Sequence, residues 1–175
     1  YAADKGEASS ICNLALAYDL GRGVPKDVEK AVEYYKKSFK GGCIQAAHNL
    51  SYFYYYGIGV DKDLEMARYL LTTAIEDGNK GSEERFAMFF PEEAELQQAE
   101  KRYAAGGATG EDYYLVGKAR MGKDKNLATD IFMEGIDKFN SPDCYAGLAA
   151  YFYDVEENVI QAYNFFLASM DNGGP

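Results

Sequence analysis

The chain has 175 residues, 47% of them apolar, with 16 Tyr, 10 Phe, no Trp and 4 Pro, which excludes disorder and permits long helices. Its 18 Lys and Arg stand against 28 Asp and Glu, and the net charge of −10 repels phosphate and argues against nucleic-acid binding. No apolar run approaches the roughly 20 residues of a membrane span. The three cysteines, Cys12, Cys43 and Cys144, have no CxxC spacing, so a thiolate zinc site and a dense disulfide framework are both unexpected. Unpaired thiols favour a reducing, cytoplasmic setting.

The sequence repeats itself at 36 residues. Asn13-Leu14 returns as Asn49-Leu50, Tyr18 as Tyr54, and Gly21, Gly23 and Val24 as Gly57, Gly59 and Val60. Lys26-Asp27 returns as Lys62-Asp63, Ala31 as Ala67 and Gly42 as Gly78. Each unit reads as helix A, a short loop and helix B, and the chain reads as one repeat domain over 1–175.

Residues 1–6 are expected to be the tail of a preceding repeat. In repeat 1 (7–42), helix A runs from about Ala8 to Leu20, with Ala8, Cys12, Ala15 and Leu16 at helical spacing. Gly21 and Gly23 break it, because glycine tolerates the left-handed backbone that ends a helix. Pro25 fixes φ and Asp27 is the expected N-cap of helix B, Val28 to about Lys40. Repeat 2 (43–78) follows the same plan. Repeat 3 (79–107) is degenerate: Phe86-Ala87 and Phe90 keep the spacing, Pro91-Glu92-Glu93 replaces the glycine loop, and helix B registers on Ala94 or Ala99. In repeat 4 (108–140), Leu115 stands for Leu14, and Ala128, Ile131 and Phe132 for Ala31, Tyr34 and Tyr35. In repeat 5 (141–175), Leu148-Ala149 stands for Leu14-Ala15, and Ala162, Phe165 and Phe166 for the same helix-B triad.

The string Asn13-Leu14-Ala15, Tyr18, Gly21-Arg22-Gly23-Val24-Pro25-Lys26-Asp27, Lys30-Ala31 and Tyr34-Tyr35 resembles the Sel1-like repeat, a relative of the tetratricopeptide repeat. That resemblance implies an all-α fold, a right-handed α-α superhelix of about five antiparallel helix pairs with helix A on the concave side. It also implies a scaffold or adaptor role. Relatives that carry a cysteine pair in every repeat are secreted, and this chain has no such pairs.

No catalytic, cofactor or metal signature is present. His48 is the sole histidine, which removes any His-pair metal site, and no alternating-Asp calcium loop occurs. What exceeds the needs of the repeat is aromatic. Leu50 and Tyr54 take the core slots of helix A in repeat 2, so His48, Tyr52 and Tyr55 fall on another face at i, i+4 and i+7, with Tyr56 at its rim. Leu16, Asp19 and Arg85 are the expected neighbours on helix A of the flanking repeats. Tyrosines suit a binding surface, and the same rings could equally pack against neighbouring repeats. The expectation is a groove for a protein or peptide partner of basic or polar character. The alternatives are a hydrolase built around His48 with a nearby carboxylate, acting on a cell-wall or small-molecule substrate, and a structural spacer.

Overall fold

The computed structural model describes residues 2–174, with side chains from residue 6 onward. The described residues form ten α-helices and no strand: α1 (Ala2–Leu20), α2 (Val28–Lys40), α3 (Ile44–Tyr56), α4 (Leu64–Glu76), α5 (Lys80–Phe89), α6 (Pro91–Ala104), α7 (Gly110–Met121), α8 (Lys125–Phe139), α9 (Pro142–Asp154) and α10 (Val159–Asp171). Helix A packs on helix B in the pairs α1/α2, α3/α4, α7/α8 and α9/α10.

The described residues cluster into two compact units, over 1–91 and 92–175; α5 belongs to the first, and α6 from Glu92 onward to the second. Here α5 ends at Phe89 with Phe90 as its C-cap, and Pro91 starts the next helix, with no glycine turn between them. The first helix, α1, runs without a break from Ala2 to Leu20. Tyr1 lies outside the described residues.

The helix A–helix B turn follows from local backbone demands. Gly21, Gly23, Gly57 and Gly59 adopt φ of 68°, 76°, 70° and 66°, a region that side-chain-bearing residues enter at a cost. The amides of Asp27 and Asp63 then donate back to Tyr18 O (3.0 Å) and Tyr54 O (2.9 Å), folding the loop onto the helix it leaves. Their carboxylates accept from Lys30 N (3.0 Å) and Met66 N (2.9 Å), capping helix B as expected; Asp124 does the same for α8 through Leu127 N.

In the first unit, Ala15, Ala31, Val32, Tyr35, Ala46, Ala47, Leu50, Phe53 and Leu70 are buried together. Ala31 and Ala67 are fully buried, which fits close approach of paired helices. Phe53 takes the core place expected for Tyr54, which is only half-buried. Leu14 is 38% exposed although its counterpart Leu50 is buried, because α1 packs chiefly on α2 and no described helix covers its other side.

The second unit centres on Phe132, fully buried with Val116, Ala128, Ile131, Cys144 and Leu148. Its ring lies so close to Gly117 and Gly147 that a methyl group on either would stand 2.5 or 2.6 Å from it. Asp112 is buried at the start of α7, where it accepts from Thr109 N (2.8 Å) and pairs with Arg102; that guanidinium holds its pKa down at about 2. A hydrogen bond also recurs in register: Ser38 Oγ donates to Ala8 O (2.7 Å), and Ser169 Oγ to Pro142 O (2.8 Å).

The turns provide a graded test. Gly59 combines a positive φ with crowding, since a methyl there would meet Val28 Cγ1 at 2.9 Å, whereas Gly23 has open space around it. Gly23→Ala should cost about 1 kcal/mol through backbone strain alone. Gly59→Ala should cost clearly more, and urea denaturation of both variants measures the difference. Equal losses would mean that the contact with Val28 is irrelevant.

Candidate functional site

The sequence-predicted surface lies within the first unit. Helical spacing puts Leu16 and Asp19 one turn apart on α1, and Asn49, Tyr52 and Tyr56 along one side of α3. Leu16, Asp19, Tyr35, Asn49, Tyr52, Phe53 and Arg85 line a small pocket of about 100 Å³. Three of the six predicted site residues, Leu16, Asp19 and Tyr52, therefore meet at one place. Tyr56 joins them through Tyr52, their ring centroids 4.8 Å apart, and these two tyrosines are 50% and 42% exposed.

The other two predicted residues are held elsewhere. Tyr55 is half-buried and stacks on Phe89, centroids 3.8 Å apart and rings within 11° of parallel, with Phe90 edge-on at 5.9 Å. It serves the packing of α3 on α5 more than the open face. His48, expected on the wall, is also half-buried: its Nδ1 lies 2.9 Å from Ser82 Oγ, and Arg85 Nη1 donates to its carbonyl at 2.5 Å. Burial and then the nearby Arg85 charge lower the His48 pKa to about 4, so the ring is neutral at pH 7.

Tyr35, Asn49 and Phe53 escaped the sequence reading of the site. Tyr35 belongs to the core of the first unit and Asn49 is a landmark of the repeat, and each also lines the pocket. The Tyr35 hydroxyl is fully buried and makes no hydrogen bond. Burial, then the charge of Asp19, raises its pKa, while the adjacent Asn49 amide opposes the shift. Arg85 is partly desolvated, which lowers its pKa against the opposing influence of Tyr52 and Tyr56.

Elsewhere, Cys12 and Cys43 stand close despite their sequence separation. Burial, then Cys43, pushes the Cys12 thiol up to about 12, which keeps it protonated at neutral pH. Among the described residues no group of three His, Cys, Asp or Glu side chains could hold a metal, and no helix is long and apolar enough to cross a membrane. A larger cleft of about 470 Å³ lies on α9 and α10, lined mainly by Ala149, Tyr153, Val159, Tyr163 and Phe166. It exists because Phe166, in register with Tyr35, is 46% exposed where no described helix covers it.

Comparison with known proteins agrees with the repeat. The Sel1 repeat family pattern matches residues 8–43 and 44–79. A Sel1-like repeat-containing protein of Schizosaccharomyces pombe, itself uncharacterized, is 34% identical over 90 residues, 51% of this chain and 14% of that protein. The ERAD-associated E3 ubiquitin-protein ligase component HRD3 of Candida glabrata is 33% identical over 87 residues, 48% of this chain and 10% of its own length. The chain thus spans only a small part of these relatives. Among solved structures, a Sel1 repeat protein from Oxalobacter formigenes aligns with a TM-score of 0.47 at 24% identity, covering 95% of this chain and 74% of the other. A protective antigen of uropathogenic Escherichia coli with an SLR fold aligns at 0.49 and 21% identity, covering 98% and 40%.

The neutral His48 makes the first unit acid-sensitive. Its pKa is about 4 folded against 6.5 free, so between those values the unfolded chain binds the extra proton and folding weakens as pH falls. Stability should therefore drop from pH 6.5 to pH 4, by at most about 1.4 kcal/mol per pH unit. His48→Gln should flatten that window. Amide hydrogen exchange in α3, followed across the range, checks it, and an unchanged slope in the variant would assign the effect to other groups.

Proposed function

We propose, on the premise that residues 8–43 and 44–79 are Sel1 repeats, that this chain is a protein- or peptide-binding scaffold whose contact surface is the α1–α3–α5 face of the first unit. The observation that carries this reading is the pair of exposed rings, Tyr52 and Tyr56, beside a pocket lined by Asp19 and Arg85. Tyrosine combines a large apolar area with a polar tip and few rotatable bonds, so it gains contact at low entropic cost. The net charge of −10 favours a partner with basic groups around its contact segment. The relative named as a ubiquitin-ligase component is by that name part of a multi-protein assembly, which supports the same role here.

A hydrolase receives no comparable support. His48 Nδ1 faces Ser82, whose hydroxyl is fully buried and also bonded to Asn79 Oδ1 (3.2 Å), so that serine is not offered to a substrate as a nucleophile.

Tyr52 and Tyr56 are the residues to change, because they are the exposed rings, whereas Tyr55 is half-buried in its stack on Phe89 and its loss would disturb the fold. The double variant Tyr52→Ala, Tyr56→Ala should keep its circular dichroism spectrum. It should weaken binding to proteins retained by the wild type from native lysate by about 2 kcal/mol or more, as truncation of anchor residues does. A double variant that folds and retains the same proteins with equal affinity would place the interface elsewhere.

A further inference from the structure

The pocket beside Tyr52 holds more polar groups than the repeat requires. In repeat register, Leu16, Tyr35 and Asn49 of the first unit correspond to Gly117, Phe132 and Gly147 of the second. There the position is closed, with the Phe132 ring packed tightly against both glycines and carrying no hydroxyl. The buried aromatic ring is thus what the fold needs, and the Tyr35 hydroxyl is an addition that has the Asn49 side chain beside it but makes no hydrogen bond of full geometry. An unpaired buried hydroxyl destabilises a folded chain unless something else satisfies it.

The groups around it are similarly uncommitted. Asp19 forms no hydrogen bond or ion pair with any described residue. Arg85 uses one Nη1 donor on His48 O and keeps its remaining donors. Asn49 Oδ1 takes a long bond from Gln45, at 3.4 Å, and its side chain lies beside the Tyr35 hydroxyl. The two charges in the lining are opposite in sign, and the volume of about 100 Å³ is well below the 300 Å³ or more of a typical small-molecule site.

We infer that this pocket seats the carboxamide of a glutamine or asparagine side chain presented by a protein partner. A carboxylate would be drawn to Arg85 but repelled by Asp19, and an ammonium or guanidinium drawn to Asp19 but repelled by Arg85, so a charged group gains from only one wall. An apolar tip would leave Asp19, Arg85 and the Tyr35 hydroxyl all unmatched. A carboxamide is neutral and two-sided: its oxygen accepts from Arg85 and the Tyr35 hydroxyl, and its NH₂ donates to Asp19. The size fits the end of one side chain, with Tyr52 as the lip against the partner backbone. This inference rests on the binding-face reading above and names the group that the face selects.

The test is an NMR titration of the labelled protein with three probes: N-acetylglutamine N-methylamide, N-acetylglutamate N-methylamide and free glutamine. The capped glutamine should shift the side-chain resonances of Arg85 and Asn49 saturably, and the capped glutamate should bind at least tenfold more weakly. Asp19→Ala and Tyr35→Phe should each weaken the glutamine probe at least fivefold with helical content unchanged; neither side chain's polar group holds the fold together. The inference is overturned by absence of a saturable shift, by equal binding of the glutamate probe, or by probe binding unchanged in both variants. Tighter binding of free glutamine than of the capped form overturns it in favour of a small-molecule site. The two readings separate cleanly. If the probe fails while the Tyr52/Tyr56 variant still loses its partners, only the carboxamide assignment falls. If the probe binds while that variant keeps them, the pocket chemistry stands and the tyrosine face is not the interface.

Discussion

Each unit is organised by one aromatic ring on helix B, fully buried between the helix A of its own repeat and that of the next. In the first unit the ring is Tyr35, against Phe53 at 5.8 Å; in the second it is Phe132, against Gly117 and Gly147. A ring in that place touches two helices besides its own, so it sets both the pairing within a repeat and the stacking of successive repeats. The surrounding small residues follow from it. Ala15, Ala31, Ala46 and Ala47 are fully buried because large side chains there would push the helices off the ring. The dependence is visible where the arrangement is incomplete: Phe166 occupies the same register on α10, and with no described helix over it the ring is exposed.

The two rings differ by one oxygen atom, and much follows from that difference. Phe132 is enclosed by glycines, so the second unit spends its register position on packing. Tyr35 faces Leu16 and Asn49, longer side chains that hold the neighbouring helices apart enough to leave a pocket. The same architecture thus gives a sealed core in one place and a polar recess in another, decided by side chains that leave the helix pairing unchanged.

The parts of this structure most legible in the sequence were those a single turn of backbone dictates. Gly21, Gly23, Gly57 and Gly59 could be placed because their positive φ excludes most other residues, and Asp27 and Asp63 because an exposed helix start needs an acceptor. Core slots were legible only where the repeats share a residue. Phe53 was missed because its partner in repeat 1 is Ala17, and shared identities pointed to Leu50 and Tyr54 instead. The candidate site was read in part for a related reason: helical spacing separates faces correctly but does not say what faces them. That Tyr55 turns into Phe89, that His48 meets Ser82, and that Cys12 lies beside Cys43 are consequences of which helix arrives alongside.

The degenerate third repeat explains why the recess is polar. Arg85 stands at the register of Asn13 and Asn49, one residue before Phe86, which takes the Leu50 slot. A long cation at that position reaches back to the preceding helix A, bonding the His48 carbonyl, while His48 itself holds Ser82 at the start of α5. Polar ties thus add to ring stacking in fixing α5 on α3, and they cost some desolvation of both Arg85 and His48. Departure from the repeat pattern therefore does two things together. It puts Pro91 where the other repeats have a glycine turn, and it brings a guanidinium to a pocket wall where a strict repeat would place only another asparagine.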